Sequence, residues 1–414
     1  MTCPSGRIGS TLRWVSQFAN AVFLGTWMVW IAASTFGWSQ GHTVSNFAQL
    51  SRQADQAREA HDLNRAVKLY RQALAQHPRW AQGWWSLGTI YYDVNSYQNA
   101  AHAFQRLTVI EPKNGTSFAM LGLSLFELSQ DDQALQDIQA ARKLGIQTNE
   151  ELHRVVLYHE GLLFLRKNKF RSAQEALTLL ASEGATENSA ALALGMSVLL
   201  VHPSKLPPEG SLGYGTILRI GEAETLSAEK KFEEGKHIYA SAVEETPSFP
   251  NLHYAYGRFL VKIDESDQAI TEFEEEIQNN PSHVQARLEI AAGRYRIDSA
   301  AGVKYAEEAV RLDPQLPFGH YLLGLLYLDT ADTVKAIREL EVAQRGYSKE
   351  SKIYFALGNA YAQAGRKQDA ARARAMFLRR TAENKETSEP STSEDESPSL
   401  DQRSVRAGPK SKPQ

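Results

Sequence analysis

Residues 84–112 read WWSLGTIYYDVNSYQNAAHAFQRLTVIEP, and the spacing inside that stretch decides the fold. Trp84, Leu87 and Tyr91 recur at helical spacing and line one face of a first helix. Asp93-Val94-Asn95-Ser96 supplies polar, Asn-bearing turn chemistry. Ala100, Phe104 and Leu107 then form the apolar face of a second helix. Pro112 stops that helix, because it has no N–H and clashes with the preceding turn. Gly88 lies inside the first helix, where glycine costs roughly 1 kcal/mol relative to alanine. A costly residue that recurs at one phase implies close approach of two backbones, with Ala100 as the small partner.

The pattern returns at a period of about 34 residues, the signature of stacked helical hairpins. Leu323, Gly324, Tyr327, Ala336, Leu340 and Ala343 hold the same offsets, as do Tyr354, Leu357, Gly358, Tyr361, Ala370 and Phe377. Tyr256, Gly257, Leu260, Ala269, Phe273 and Pro281 form a third set. On these residues the chain resembles the tetratricopeptide repeat family. Repeats fall at 47–80, 81–114, 115–148, 154–187, 216–249, 250–282, 283–316, 317–350 and 351–384. The first keeps only its second-helix residues Ala66, Tyr70, Ala73 and Pro78, and 188–203 holds one lone first helix (Ala191, Leu194, Gly195, Val198). The resemblance implies an all-α, right-handed superhelical solenoid of antiparallel helix pairs. Each repeat in such an array buries its face only against its neighbours.

The organisation expected is a signal peptide or membrane anchor over 1–40, a repeat block over 47–203, a loop over 204–215, a second block over 216–384 and a disordered tail over 385–414. Pro203, Pro207, Pro208, Gly210, Gly213 and Gly215 crowd the loop and argue against helix there. The loop is read as a divider, with a hinge between the blocks as one reading and an inert insertion as the other. The tail is rich in Ser, Glu, Pro and Thr, acidic at Glu389, Glu394, Asp395 and Glu396 and basic at Arg403, Arg406, Lys410 and Lys412. That composition cannot bury enough apolar surface to fold.

At the other end, Arg7 and Arg13 precede a stretch from Trp14 to Ser51 without any Asp, Glu, Lys or Arg. Its apolar centre, Ala21 to Ala33, reads as a secretory signal cleaved after Ser34 or Ser39. The competing reading is an uncleaved anchor with Trp27, Trp30 and Trp38 at the interface. Either places the repeats outside the cytoplasm, in a bacterial periplasm or secreted. A net charge of −3 does not support a nucleic-acid partner. Cys3 is the single cysteine, so the folded part needs no disulfide.

The resemblance also implies a groove lined by first helices that receives a protein or peptide partner. Residues one position after the Trp84 phase face it: Trp85, Tyr158, Tyr254, Tyr321 and Phe355, a stripe interrupted at Ala119 and Leu288. Further along lie Thr89, Arg258 and Asn359, and a turn beyond them Tyr92. Aromatics and arginine are common anchors at binding hot spots. The opposing reading packs these rings between adjacent helices. His253 and His320 hold the Trp84 phase and are read as packing residues. No metal pair, phosphate loop or nucleophile elbow is found in the sequence, so no enzyme, cofactor or metal is expected. Two alternatives stay open: a carbohydrate or cell-wall polymer along the aromatic stripe, and a self-assembling structural protein.

Overall fold

The computed structural model describes residues 41–146 and 150–387. The candidate signal or anchor over 1–40 and the tail beyond Thr387 lie outside the described residues. The described chain is helical, with no strand among those residues. It forms two compact units, one ending at Leu163 and the other beginning at Phe164.

The first unit holds α1 (Gly41–Glu59), α2 (Leu63–Gln76), α3 (Ala81–Asp93), α4 (Tyr97–Ile110), α5 (Gly115–Glu127), α6 (Asp131–Leu144) and most of α7 (Glu150–Arg166). They pack as the hairpins α1/α2, α3/α4 and α5/α6, with α2 also touching α3 and α4 touching α5. Asp62 begins α2 by accepting the Arg65 N–H at 3.1 Å, and Asn114 begins α5 by accepting those of Thr116 and Ser117. Such caps satisfy donors that a helix start leaves without partners. At each turn one residue adopts the left-handed conformation: His61, Asn95 and Ser129, with φ of 56°, 57° and 56°. Ser96 N–H then returns to the Tyr91 carbonyl at 2.8 Å, closing the α3 C-terminus.

The second unit holds the end of α7, then α8 (Phe170–Ser182), α9 (Asn188–Val198), α10 (Leu212–Ala228), α11 (Phe232–Glu245), α12 (Leu252–Lys262), α13 (Ser266–Asn279), α14 (Val284–Arg294), α15 (Ser299–Leu312), α16 (Pro317–Asp329), α17 (Thr333–Gly346), α18 (Ser351–Gln363) and α19 (Lys367–Thr387). The hairpins α10/α11, α12/α13, α14/α15, α16/α17 and α18/α19 repeat the arrangement of the first unit. Arg372, Arg374 and Arg379 lie on the exposed side of α19, giving the last helix the polar face that a terminal repeat needs.

Three expectations change in detail. The repeat glycines Gly88, Gly257 and Gly324 meet a large side chain first rather than a second backbone. A Cβ on Gly88 would stand 2.7 Å from the Phe104 ring, and one on Gly257 2.5 Å from the Phe273 ring. The residue at the Phe104 phase therefore fills the notch, while Ala100 lets the two helices come together behind it.

The tightest backbone-to-backbone approach lies across the Pro/Gly stretch. Gly195 of α9 and Gly221 of α10 face each other, and added Cβ atoms would lie 1.9 Å from the Ile217 carbonyl oxygen and 1.7 Å from that of Ala191. This contact joins the two sides of the loop rather than leaving them free to hinge.

The loop is also shorter than 204–215. Pro203–Lys205 form a 3-10 turn and α10 starts at Leu212, with Gly213 and Gly215 in its first turn. Ser211 accepts the Tyr214 N–H at 3.2 Å, and a first helical turn tolerates glycine because its N–H groups have no partner within the helix. The division into units falls within α7, not at this loop. At the far end α19 runs to Thr387, taking in the first positions of the segment read as tail.

Candidate binding surfaces

The Trp84 phase is a packing position with a polar tie. Trp84 Nε1 donates to the Pro78 carbonyl at 2.8 Å, His320 Nε2 to the Pro314 carbonyl at 3.0 Å, and the Tyr354 hydroxyl to the Ser348 carbonyl at 2.9 Å. His253 bonds the Pro247 carbonyl in the same way. In all four cases the acceptor lies six residues earlier, so the ring pins the incoming loop to its own first helix. The histidines do more. His253 Nδ1 meets Glu272 at 2.7 Å and His320 Nδ1 meets Glu339 at 2.6 Å. For His320 the bond to Glu339 outweighs burial and raises the pKa. For His253 burial pulls downward most strongly, yet the bond and charge of Glu272, with the charge of Glu276, leave a net rise.

Tyrosines are tied to carboxylates at two further phases. The Tyr361 hydroxyl donates to Glu341 at 2.8 Å, and that of Tyr327 to Glu307, each acceptor twenty residues earlier on the preceding second helix. Tyr70 donates to Asp55 at 2.6 Å and Tyr239 to Glu224 at 2.8 Å, each fifteen residues earlier. Where tyrosine replaces phenylalanine at the Phe104 phase, the first helix thus carries an acid in place of Thr89. Tyr239 is fully buried and Glu224 is nearly so. Tyr239→Phe is expected to cost about 2 kcal/mol, since it takes the hydrogen bond from a buried carboxylate and leaves it only Lys262, 3.9 Å away. Tyr361→Phe, at a half-buried site, should cost less than about 1 kcal/mol. Urea unfolding followed by circular dichroism measures both, and equal costs would contradict the assignment.

The groove-phase residues divide by exposure and by unit. In the first unit, Trp85, Thr89 and Tyr92 share one face of α3. Trp85 is half-buried, packed edge-on against Phe104 with ring centres 5.8 Å apart. Thr89 is buried and donates to the Ser86 carbonyl at 3.0 Å, and Tyr92 is buried with its ring 5.4 Å from Tyr97. Tyr158 of α7 is half-buried against His159 at 5.4 Å.

In the second unit, Tyr254 is buried between Phe273 and His283, and half-buried Arg258 lies 5.9 Å over its ring. Tyr321 is buried beside Phe318 at 6.3 Å. Phe355 is 54% exposed, 5.5 Å from Phe377, and Asn359 is exposed one turn on. Thr89, Tyr92, Tyr254 and Tyr321 are therefore packing residues, because neighbouring side chains cover them. Trp85, Tyr158, Arg258, Phe355 and Asn359 remain accessible.

A cleft of about 490 Å³ opens on the second-helix side of the first unit. Trp84, Leu87 and Tyr91 of α3 form its floor, with Arg71 of α2 and Asn99 and His102 of α4 at its rim. Among the described residues no group of His, Cys, Asp and Glu could hold a metal ion. No helix there is long and apolar enough to cross a membrane.

Residues 51–115, from within α1 to the start of α5, match the sequence model of the tetratricopeptide repeat. Over these residues the chain carries tetratricopeptide repeats. Among curated proteins it is similar to Protein CTR9 homolog of Arabidopsis thaliana, 24% identical over 300 residues. That match takes in 72% of this repeat chain and 26% of the plant protein, so the chain spans about a quarter of its relative's length.

Solved structures of similar build include yeast Tom70, with TM-score 0.35 and 12% identity over 82% of this chain and 85% of that one. MamA of Desulfovibrio magneticus RS-1 overlaps with TM-score 0.39 and 20% identity over 43% of this chain and 100% of that one. The Cut9–Hcn1 assembly of APC/C gives 0.34 and 12% over 82% and 88%. Likenesses this slight carry nothing about function.

Proposed function

We propose that this tetratricopeptide repeat protein is an exported scaffold that captures a protein or peptide along the first-helix side of its hairpins. Within each unit the first helices would line the inner side of a right-handed superhelical turn. The observation that carries the reading is the exposure of Phe355 at 54%, at the same phase as half-buried Trp85 and Tyr158. A large aromatic left accessible at a repeated position is the kind of anchor that dominates protein interfaces. Export rests on the uncharged stretch after Arg13, and with it a periplasmic or secreted location.

The test is affinity capture from the native envelope fraction with the parent protein and with Trp85→Ala and Phe355→Ala. The reading requires the same partner to be lost from both variants while circular dichroism stays unchanged. Retention by both variants, or binding to a glycan array in place of any protein, would replace it.

A further inference from the structure

The cleft on the second-helix side of the first unit has a template elsewhere in the chain. Tyr91 holds the phase of Tyr327 and Tyr361, whose hydroxyls donate to Glu307 and Glu341, twenty residues earlier. A cation also sits over each of those rings, Lys335 Nζ at 5.0 Å and Arg366 Cζ at 4.5 Å. Tyrosine, carboxylate and cation thus form a repeated unit at this place in the fold. Twenty residues before Tyr91 stands Arg71. At this repeat a cation stands at the position from which the other two supply the carboxylate.

The surroundings carry the same sign. Helix α2 bears Arg65, Lys68 and Arg71, α4 bears Arg106, and neither contains Asp or Glu. Among the described residues no carboxylate forms an ion pair with any of these four cations. The floor is aromatic and already fixed, since Trp84 Nε1 is held by Pro78 and Arg106 Cζ lies 5.9 Å from the Trp84 ring. Asn99 gives one amide N–H to Ser96 Oγ at 2.9 Å and keeps a second. At about 490 Å³ the cleft falls within the range of sites that seat a ligand group.

We propose that this cleft is a second binding site, for an acidic peptide segment of a partner, that takes one side-chain carboxylate at Arg71 and Tyr91 and an adjacent flat apolar side chain over Trp84. The incoming carboxylate gives Tyr91 the acceptor that Glu307 and Glu341 give their own tyrosines, and it meets the opposite charge of Arg71. Arginine and the tyrosine hydroxyl both donate to it, the guanidinium through charge-assisted bonds. The Asn99 amide is a third donor at the rim, and the surrounding cations attract an acidic segment before it docks. The site uses the second-helix side and does not depend on the first-helix reading above.

The probe is a fluorescein-labelled peptide, GEEDFEDG, amidated at its C-terminus, titrated into the full chain by fluorescence anisotropy at about 50 mM salt, where screening is weak. The expected result is saturable binding that Arg71→Glu weakens at least about tenfold. Asn99→Asp should weaken it in the same direction, and Arg71→Lys should retain most of it. Trp85→Ala should leave it unchanged, which separates failure of this site from failure of the first-helix groove. Arg71 and Asn99 are exposed, and unchanged circular dichroism spectra of their variants show that the loss is local. No saturable binding by the parent, binding indifferent to Arg71→Glu, or equal binding of a heparin oligosaccharide with the same Arg71 dependence would each overturn the proposal.

Discussion

Replacing Gly221 with alanine is expected to destabilise the second unit by about 3 kcal/mol, the upper end of the usual cost of overpacking. The added methyl would lie 1.7 Å from the Ala191 carbonyl oxygen and 2.4 Å from its carbon. Both atoms are backbone, so no rotamer change relieves the clash, and α9 must move bodily away from α10. Gly195 repeats the constraint from the other side, with the Ile217 carbonyl at 1.9 Å. Gly195→Ala should therefore cost a similar amount.

Gly215→Ala is the control. Nothing lies within 4 Å of a Cβ at that position, so the change should be neutral or stabilise by up to about 1 kcal/mol through helix propensity. All seven tryptophans precede residue 86, so their fluorescence does not report on the second unit. Hydrogen exchange of α9 and α10 amides together with urea unfolding by circular dichroism reads the effect. Equal midpoints for Gly221→Ala and Gly215→Ala would mean that the two backbones are not in contact.

That contact was only half legible in the sequence. Gly195 sits at the recognised phase of a first helix, but its partner lies 26 residues on, beyond Pro203, Pro207 and Pro208. The repeat period offers no route to Gly221. The hairpins themselves were legible because each is specified within one repeat: Trp84, Leu87, Gly88, Tyr91, Ala100 and Phe104 pack against one another. The phase of His253 and His320 likewise placed them in the packing, where both are found buried.

Phase fixes which side of a helix a residue faces, but not how closely the next helix covers it. Tyr92, Tyr254 and Tyr321 share a side with exposed Phe355 and are nevertheless buried. The unit boundary at 163/164 falls inside one continuous helix, so no proline, turn or composition shift announces it. By contrast, the pairs Tyr327–Glu307 and Tyr361–Glu341 share one offset and could be found by comparing neighbouring repeats residue by residue.

His283 should make the second unit sensitive to acid. It caps α14: its Nδ1 accepts the Ala286 N–H at 3.0 Å, and its Nε2 donates to Asn251 Oδ1 at 3.2 Å. Asn251 in turn donates to the Leu199 carbonyl at 2.9 Å. This arrangement needs a neutral ring, because a protonated Nδ1 cannot accept. Burial first, and the charge of Arg287 second, lower the His283 pKa from 6.5 to about 4. A base depressed in the fold stabilises it fully above its unfolded pKa and loses that contribution as pH falls toward its folded one. The loss should reach roughly 2 kcal/mol by pH 5 and about 3 kcal/mol by pH 4.

Two other sets of groups act differently. His253 and His320 have raised pKa values, so their contribution is complete below 6.5 and is lost only as pH rises through their folded values. Glu276, 4.0 Å from His283, is raised chiefly by burial. It favours the fold as pH falls and so offsets part of the His283 loss. His283→Asn isolates the effect, since asparagine also caps a helix but does not titrate. At pH 7 the variant should be less stable than the parent by about 1 kcal/mol, the worth of the bond to Asn251. At pH 5 that order should reverse. An NMR titration in which the His283 ring takes up its proton near pH 6.5, or a parent-to-variant difference constant between pH 7 and pH 5, would contradict the account.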